Sequence, residues 1–268
     1  MALTRFLGVV CDLDGTLLRS DGTLSPATLE MLAALRERGV PLVVATARTP
    51  RAVQRIAGHR QLGPVVCANG AIVWDPGGDE IVHEVCFPAA PLLTALSRVR
   101  TTVPDVAVAL LSARRMYLDD RYVALRAKGL DDDLPMPAAG EDEASMVMVA
   151  LRHPRLGADA LLGPASEAFT GLGSASFAGP SVVDVVPAGV SKAGTAAGVL
   201  GRLGCPPEAT VAFGDMPNDL PLFAWAGCAA AVANAHPVVL EAADEIVASN
   251  DDDGVARTVD RLLRGAGR

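Results

Sequence analysis

Two aspartates lie two residues apart at the end of an apolar run, Val9-Val10-Cys11-Asp12-Leu13-Asp14-Gly15-Thr16. In an extended strand alternate side chains share a face, so Asp12 and Asp14 are expected on one side and Leu13 on the other. Two like charges at the end of a buried strand are costly unless something uses them. A hard divalent cation with a reacting phosphate is the use that fits. The plain alternative is a strand that closes in an ordinary Asp-Gly turn.

Three more segments hold complementary groups. Thr46-Ala47-Arg48 follows the apolar stretch 41–45, Lys192 opens a helical stretch, and Gly214-Asp215-Met216-Pro217-Asn218-Asp219 follows the apolar stretch 210–213. Together they bring carboxylates, a hydroxyl, a guanidinium, an amide and an ammonium. Phosphoryl transfer, which is mostly positioning and charge neutralisation, uses that set. Each segment also has a structural reading. Thr46 is placed to cap a helix near Pro50, and acidic residues at 215–219 suit a helix N-terminus. Lys192 is the exception, because a cation in a first helical turn opposes the helix dipole.

The elements that must carry these residues follow from periodicity and turn chemistry. Residues 6–11, 41–45 and 65–67 read as apolar strands. Between them lie a helix opened by Ser25-Pro26 and stopped near Gly39, and a second over 51–57. Strand and helix alternate with short links, which predicts a parallel sheet. The rhythm breaks after about Gly78. Helical patterns at 88–100, 119–128 and 155–172 then mix with strand patterns at 80–86, 106–111, 115–118, 145–151 and 182–186, with breaks at 131–133 and 171–174. This stretch reads as a separate α+β domain, 80–187, inserted into a core made of 1–79 and 188–268. Alternation resumes with helices at 191–203, 218–226, 236–243 and 253–264 and strands at 209–213, 228–232 and 245–248. Strand C-termini line the ligand crevice of such sheets, and three of the four segments lie there.

Bulk composition narrows the function classes. The chain has 268 residues, half of them hydrophobic and 4% aromatic, so its core is expected to be Ala, Val and Leu. A formal net charge of −8 argues against a nucleic-acid partner held by electrostatics. Five scattered cysteines fit a reducing compartment without a disulfide framework. The N-terminal apolar stretch is too short for a signal peptide, and no window reaches the length of a membrane span. A cytoplasmic protein with no membrane partner is expected. Oligomeric state is left open.

The four segments, in order, resemble the four motifs of the haloacid dehalogenase superfamily of phosphohydrolases. The insertion between the second and third resembles its Cof-type, or type IIB, branch. Ala68-Asn69-Gly70-Ala71, Gly189-Val190-Ser191-Lys192, Gly214 to Pro221, Val232-Ala233-Asn234-Ala235 and Asp253-Gly254-Val255-Ala256 carry the resemblance further. It implies a Rossmann-like α/β core with an α+β cap. It also implies a Mg²⁺-dependent phosphatase acting on a small phosphorylated metabolite, a sugar phosphate foremost.

The roles it implies are carried residue by residue. Asp12 matches the nucleophile that forms an aspartyl-phosphate. Asp14 matches the general acid and base, a role that needs a protonated carboxyl. Asp215 matches the metal ligand, joined by Asp12 and the backbone carbonyl of Asp14. Asp219 would orient a metal-bound water or Lys192. Thr46, Ala47, Arg48, Lys192 and Asn218 fall on the substrate side. For Arg48 a pair with a core carboxylate stays open. Ala47 and Ala193 stand where the family often has glycine. A phosphomutase or phosphotransferase shares the Asp12 chemistry, but only about thirty residues separate Asp14 from Thr46, too few for the helical cap such mutases carry. A catalytically idle metabolite-binding protein is the rival from another class, expected to lack one of Asp12, Asp14, Lys192 or Asp215. The histidines at 59, 83, 153 and 236 match no motif. In the insertion, Arg114, Arg115, Tyr117, Tyr122 and Lys128 are the candidates for choosing substrate.

Overall fold

Val9, Val10, Val43, Val44, Val65 and Val66 have no exposed surface, the expected state of parallel strands covered on both faces by helices. They belong to β1 (Gly8–Asp12), β2 (Leu42–Ala45) and β3 (Val65–Cys67) of a computed structural model. It describes residues 6–125, 134–135, 145–177 and 179–265; Lys128 and residues 131–133 lie outside them. Two compact units emerge, one of Met1–Val82 with Lys192–Arg268 and one of His83–Ser191. The division falls at 82/83 and 191/192, a few residues after the boundaries drawn at 79/80 and 187/188, and its first border lies within a strand, Glu80–Glu84, that belongs to the large sheet.

In the first unit, β4 (Ile72–Asp75) and β5 (Glu80–Glu84) follow β3. Three strands come from the C-terminal part of the chain. With the insertion's strands numbered β6 to β11, these are β12 (Thr210–Gly214), β13 (Cys228–Val232) and β14 (Glu245–Val247). The sheet order is β14-β13-β12-β1-β2-β3-β4-β5. From β14 to β3 every pair is parallel, and β4 then runs antiparallel to β3. β4 was not legible as a strand, since Asn69-Gly70 reads as the end of an element; the chain instead turns back on itself there.

Helices α1 (Pro26–Glu37) and α2 (Pro50–Gln54) join these strands. Ser25 accepts the N–H of Thr28 at 3.0 Å and Pro26 sits at the first helical position, as read from sequence. Gly39 follows α1 with φ +65°, the left-handed stop. Helix α2 begins at Pro50 and ends at Gln54, three residues before the expected limit, and its cap is Thr49, not Thr46.

The second unit holds α3 (Ala89–Thr102), β6 (Ala107–Leu111), β7 (Met116–Leu118), α4 (Asp120–Leu125), β8 (Leu134–Pro135), β9 (Met148–Arg152), α5 (Ala158–Ala168), β10 (Gly173–Ser176) and β11 (Val183–Pro187). Its sheet order is β10-β11-β9-β6-β7-β8. Pairing is antiparallel except between β7 and β8. Leu92, Leu96 and Val99 of α3 and Leu161 of α5 pack with Val149, Leu151 and Val185 into its core. The break expected at 171–174 is corrected in part, because Gly173 opens the edge strand β10. A Cβ there would lie 2.6 Å from the Val186 carbonyl, so only glycine lets the two strands pair so closely.

The chain returns to the first unit through α6 (Lys192–Arg202), which packs on β2 and β3. The short α7 (Leu220–Trp225), α8 (Pro237–Ala242) and the terminal α9 (Gly254–Gly265) complete it.

Candidate active site

β1, β12 and β2 are neighbours in register, with Asp12 opposite Ala45 and Cys11 opposite Phe213. Their C-terminal ends therefore place Asp12, Thr46 and Asp215 side by side. The sequence expectation for the first motif needs one correction. β1 stops at Asp12, and residues 13–17 wind into a tight turn with Gly15 at φ +74°. Asp14 therefore does not share a strand face with Asp12. Asp12 is buried, whereas the Asp14 side chain is 53% exposed.

Buried charge is concentrated around Lys192, the first residue of α6. Its ammonium donates to Asp12 Oδ1 and, at 2.6 Å, to Asp219 Oδ1. The other Asp219 oxygen accepts the backbone N–H groups of Asp215 and Met216, each at 3.1 Å. Asp219 thus has both oxygens committed and no exposed surface. Burial works against the charge on Lys192, but Asp12 and Asp219 outweigh it and hold the ammonium above its ordinary value. Burial pushes the Asp12 carboxyl up, with Lys192 pulling it back and Asp219 and Asp215 adding to the push.

Asp215 follows β12. Its carboxyl is pushed up to about 6, by burial first and by Asp219 next, against the hydrogen bond from Thr16. That bond, Thr16 Oγ1 to Asp215 Oδ1 at 3.0 Å, fixes the carboxylate against the turn. The turn must be glycine at 15, since a Cβ there would lie 2.5 Å from Asp215 Oδ2. Gly214 is held to the same type because a Cβ would lie 2.6 Å from that of Asp219. Thr16 was absent from the sequence-derived site. Its position two residues past Asp14 was the available signal, but a hydroxyl there reads equally as turn chemistry.

Arg48 settles on a carboxylate. Its Nε and Nη2 donate to Asp14 Oδ2 and Oδ1 at 2.8 and 2.5 Å, a two-point grip. Thr46 is 1% exposed, and its Oγ1 accepts the Arg48 N–H at 3.1 Å. Ala47 lies between them and offers only its small size. Asn218, in the turn Pro217–Asp219, has a buried Oδ1 without a hydrogen-bond partner among the described residues. Ala68 and Asn69 are both left-handed, at φ +49° and +50°, and their N–H groups donate to the carbonyls of Arg48 and Thr46. This strained turn is stitched to the Thr46–Arg48 loop, a placement seen where backbone geometry serves a site.

Asp12, Asp215 and Asp219 each offer a carboxylate oxygen within 4.8 Å of the others. Oxygen-only donors suit a hard divalent cation. The commitments of Asp219 leave Asp12 and Asp215 as the carboxylates fitted to hold one. Cys11 is fully buried and burial pushes its thiol up, so it behaves as a small apolar residue. Of the histidines, His236 touches this region through its backbone, donating its N–H to the Asp215 carbonyl at 2.8 Å. In the second unit, Tyr117 is buried and Tyr122 carries the Arg152 guanidinium 5.8 Å from its ring centre, while Arg114 and Arg115 are exposed between β6 and β7. No helix among the described residues is long and apolar enough to cross a membrane.

The sequence model of the haloacid dehalogenase-like hydrolases matches residues 9–259. The 5-amino-6-(5-phospho-D-ribitylamino)uracil phosphatase YitU of Bacillus subtilis is 28% identical, over 93% of this chain and 94% of its own length. The pyridoxal phosphate phosphatase YbhA of Escherichia coli is 26% identical over 94% and 96%. Among solved structures, SMU.1108c of Streptococcus mutans superposes with a TM-score of 0.84 at 22% identity, over 97% of this chain and 99% of the other.

Proposed function

The chain belongs to the haloacid dehalogenase-like hydrolases, a phosphatase lineage, and from that premise we propose that it is a Mg²⁺-dependent phosphatase that hydrolyses a small phosphorylated metabolite through an aspartyl-phosphate on Asp12. The observation that carries the proposal is the buried arrangement of Asp12, Lys192 and Asp219 beside Asp215. Buried ionic groups of this density cost stability, and such clusters gather at functional sites.

Each residue has a task in this reading. An Asp12 oxygen attacks phosphorus, and the alcohol leaves with a proton from Asp14. Asp14 then takes a proton from water as the water attacks the acyl phosphate, releasing inorganic phosphate and restoring Asp12. Lys192 offsets the negative charge that gathers on Asp12 and the phosphoryl oxygens. Thr46 Oγ1 and the Asn218 amide bind those oxygens. Arg48 occupies both Asp14 oxygens, so it must release one of them before Asp14 meets the leaving group. Asp12, Asp215 and the Asp14 backbone carbonyl would hold Mg²⁺, which would supply charge neutralisation of the phosphoryl group.

Sugar phosphates head the substrate classes. The phosphatase activities by which YitU and YbhA are named add a phosphoribitylaminouracil and pyridoxal phosphate to the set. The test is p-nitrophenyl phosphate turnover, with and without Mg²⁺, followed by phosphate release across a panel of these esters. Asp12→Asn is expected to lower turnover by about a thousandfold or more while remaining folded. Activity retained in that variant, or turnover unchanged by EDTA, sinks the mechanism.

A further inference from the structure

Two asparagines outside the reacting groups hold the catalytic turn from behind. Asn234 lies in the loop between β13 and α8, and Asn250 in the loop between β14 and α9. In sheet order both loops arise beyond β12, and they reach across to the turn that follows β1. Asn234 Nδ2 donates to the Gly15 carbonyl at 2.8 Å, and its Oδ1 accepts the Asn250 N–H at 3.0 Å. Asn250 is 5% exposed, and its Nδ2 donates to the Leu18 carbonyl at 2.9 Å. One amide thus holds the middle of the turn, the other holds its exit, and they are bonded to each other. Each amide has a single workable orientation, since a flip would set N–H against N–H or oxygen against oxygen.

The loop that presents Asn250 is itself fixed. A Cβ at Gly254 would lie 1.9 Å from the Ala248 carbonyl, so the loop closes on a contact that only glycine permits. Arg19 binds both oxygens of Asp253 at 3.0 and 2.9 Å, and the Ser20 N–H and hydroxyl donate to Asp251. The Gly15 peptide held by this frame separates two groups that matter. Asp14 precedes it, and Thr16, whose hydroxyl holds Asp215, follows it.

We propose that Asn234 and Asn250 form a two-amide clasp that sets the Gly15 peptide, and through it the placement of Asp14 and Asp215. Both act as positioning residues, through the backbone carbonyls of the turn. The inference rests on the phosphatase reading above for its kinetic consequences, though the clasp itself is a property of the fold.

Asn→Asp substitution removes the donor and adds a carboxylate charge, a change that Asn234→Gln and Asn234→Ala do not make. In Asn234→Asp an oxygen faces the Gly15 carbonyl while the acceptor for Asn250 is kept; in Asn250→Asp the bond to Leu18 is lost. With p-nitrophenyl phosphate, kcat is expected to fall about 10- to 100-fold in Asn234→Asp with KM within about twofold. Inhibition by vanadate, which mimics the five-coordinate phosphorus, should weaken in proportion to kcat. Asn234→Gln, which retains both amide functions, should recover part of the loss. A kcat within about twofold of wild type in both folded Asp variants, or a loss confined to KM, overturns the clasp.

If an Asp variant does not fold, Asn234→Ala takes its place, and failure of that variant to fold also overturns the proposal, since the amides would then serve folding and not placement. Loss of wild-type turnover in Asp12→Asn decides the phosphatase reading without reference to either asparagine. Should the wild type show no turnover, amide exchange decides the clasp alone. Exchange at residues 15–18 that is about tenfold faster in Asn234→Asp supports it, and unchanged exchange overturns it.

Discussion

Lys192 Nζ and Asp219 Oδ1 lie 2.6 Å apart in the interior, and the second oxygen of Asp219 closes the turn that carries Asp215. One carboxylate therefore positions both the ammonium and the adjacent metal-ligand candidate. Asp219→Ala removes one of the two carboxylates that hold the buried ammonium and leaves two backbone N–H groups without their acceptor. It is expected to cost about 3–5 kcal/mol of stability, read from the urea midpoint. A loss below about 1 kcal/mol would show that water replaces the carboxylate and that the pair has little structural role.

Thr16→Val keeps side-chain shape but removes the donor to Asp215 Oδ1. Freed to rotate, Asp215 should bind Mg²⁺ about 10- to 100-fold more weakly. The Mg²⁺ dependence of turnover and of thermal stability should shift together. An unchanged Mg²⁺ midpoint removes Thr16 from the site.

Gly15→Ala meets two obstacles, the left-handed backbone at φ +74° and Asp215 Oδ2 at 2.5 Å from the new Cβ. The backbone term alone is about 1–2 kcal/mol. Because Thr16 restrains the displaced carboxylate, activity should fall further than the stability loss accounts for. Chemical unfolding and turnover measured on one preparation separate the two effects.

The pH dependence follows from Asp215, whose carboxyl is pushed up to about 6 by burial first. An unfolded aspartate titrates near about 3.9. Between these values the folded, metal-free protein keeps a proton that the unfolded chain has released. The stabilising contribution of this group is therefore complete below about pH 4 and lost as pH rises through about 6, by about 2–3 kcal/mol. Urea midpoints of metal-free wild type should fall over this window relative to Asp215→Asn, which has no proton to lose there. Stabilisation by added Mg²⁺ should change in the opposite sense and grow as pH passes 6, because protons then stop competing for Asp215. Parallel curves for the two proteins would refute this.

Much of the first unit was legible because its signals are local. Val-rich runs too short for helices, Ser25-Pro26 at a helix start and Gly39 at its end each specify an element within a few residues. β4 escaped because its direction depends on Ala68 and Asn69 adopting left-handed backbone, which neither residue type announces. β10 escaped because Gly173 is a strand residue only when β11 lies against it. The exchange of Thr46 for Thr49 as the cap of α2 has the same origin. Both threonines suit a cap, and Thr46 is instead held at the end of β2 by pairing with Val66.

The order of residue types along the chain determined the alternation of strands and helices and which carboxylates, hydroxyl, guanidinium and ammonium were available. These follow from side-chain chemistry and short-range spacing. Only the tertiary structure decided how they pair. Asp14 leaves the strand direction and meets Arg48, Thr16 turns to Asp215, and Asn234 and Asn250 reach the turn from loops more than 200 residues away in sequence. Such pairings depend on which strands become neighbours and on where each turn aims its carbonyls and side chains, and no local pattern of residues encodes that.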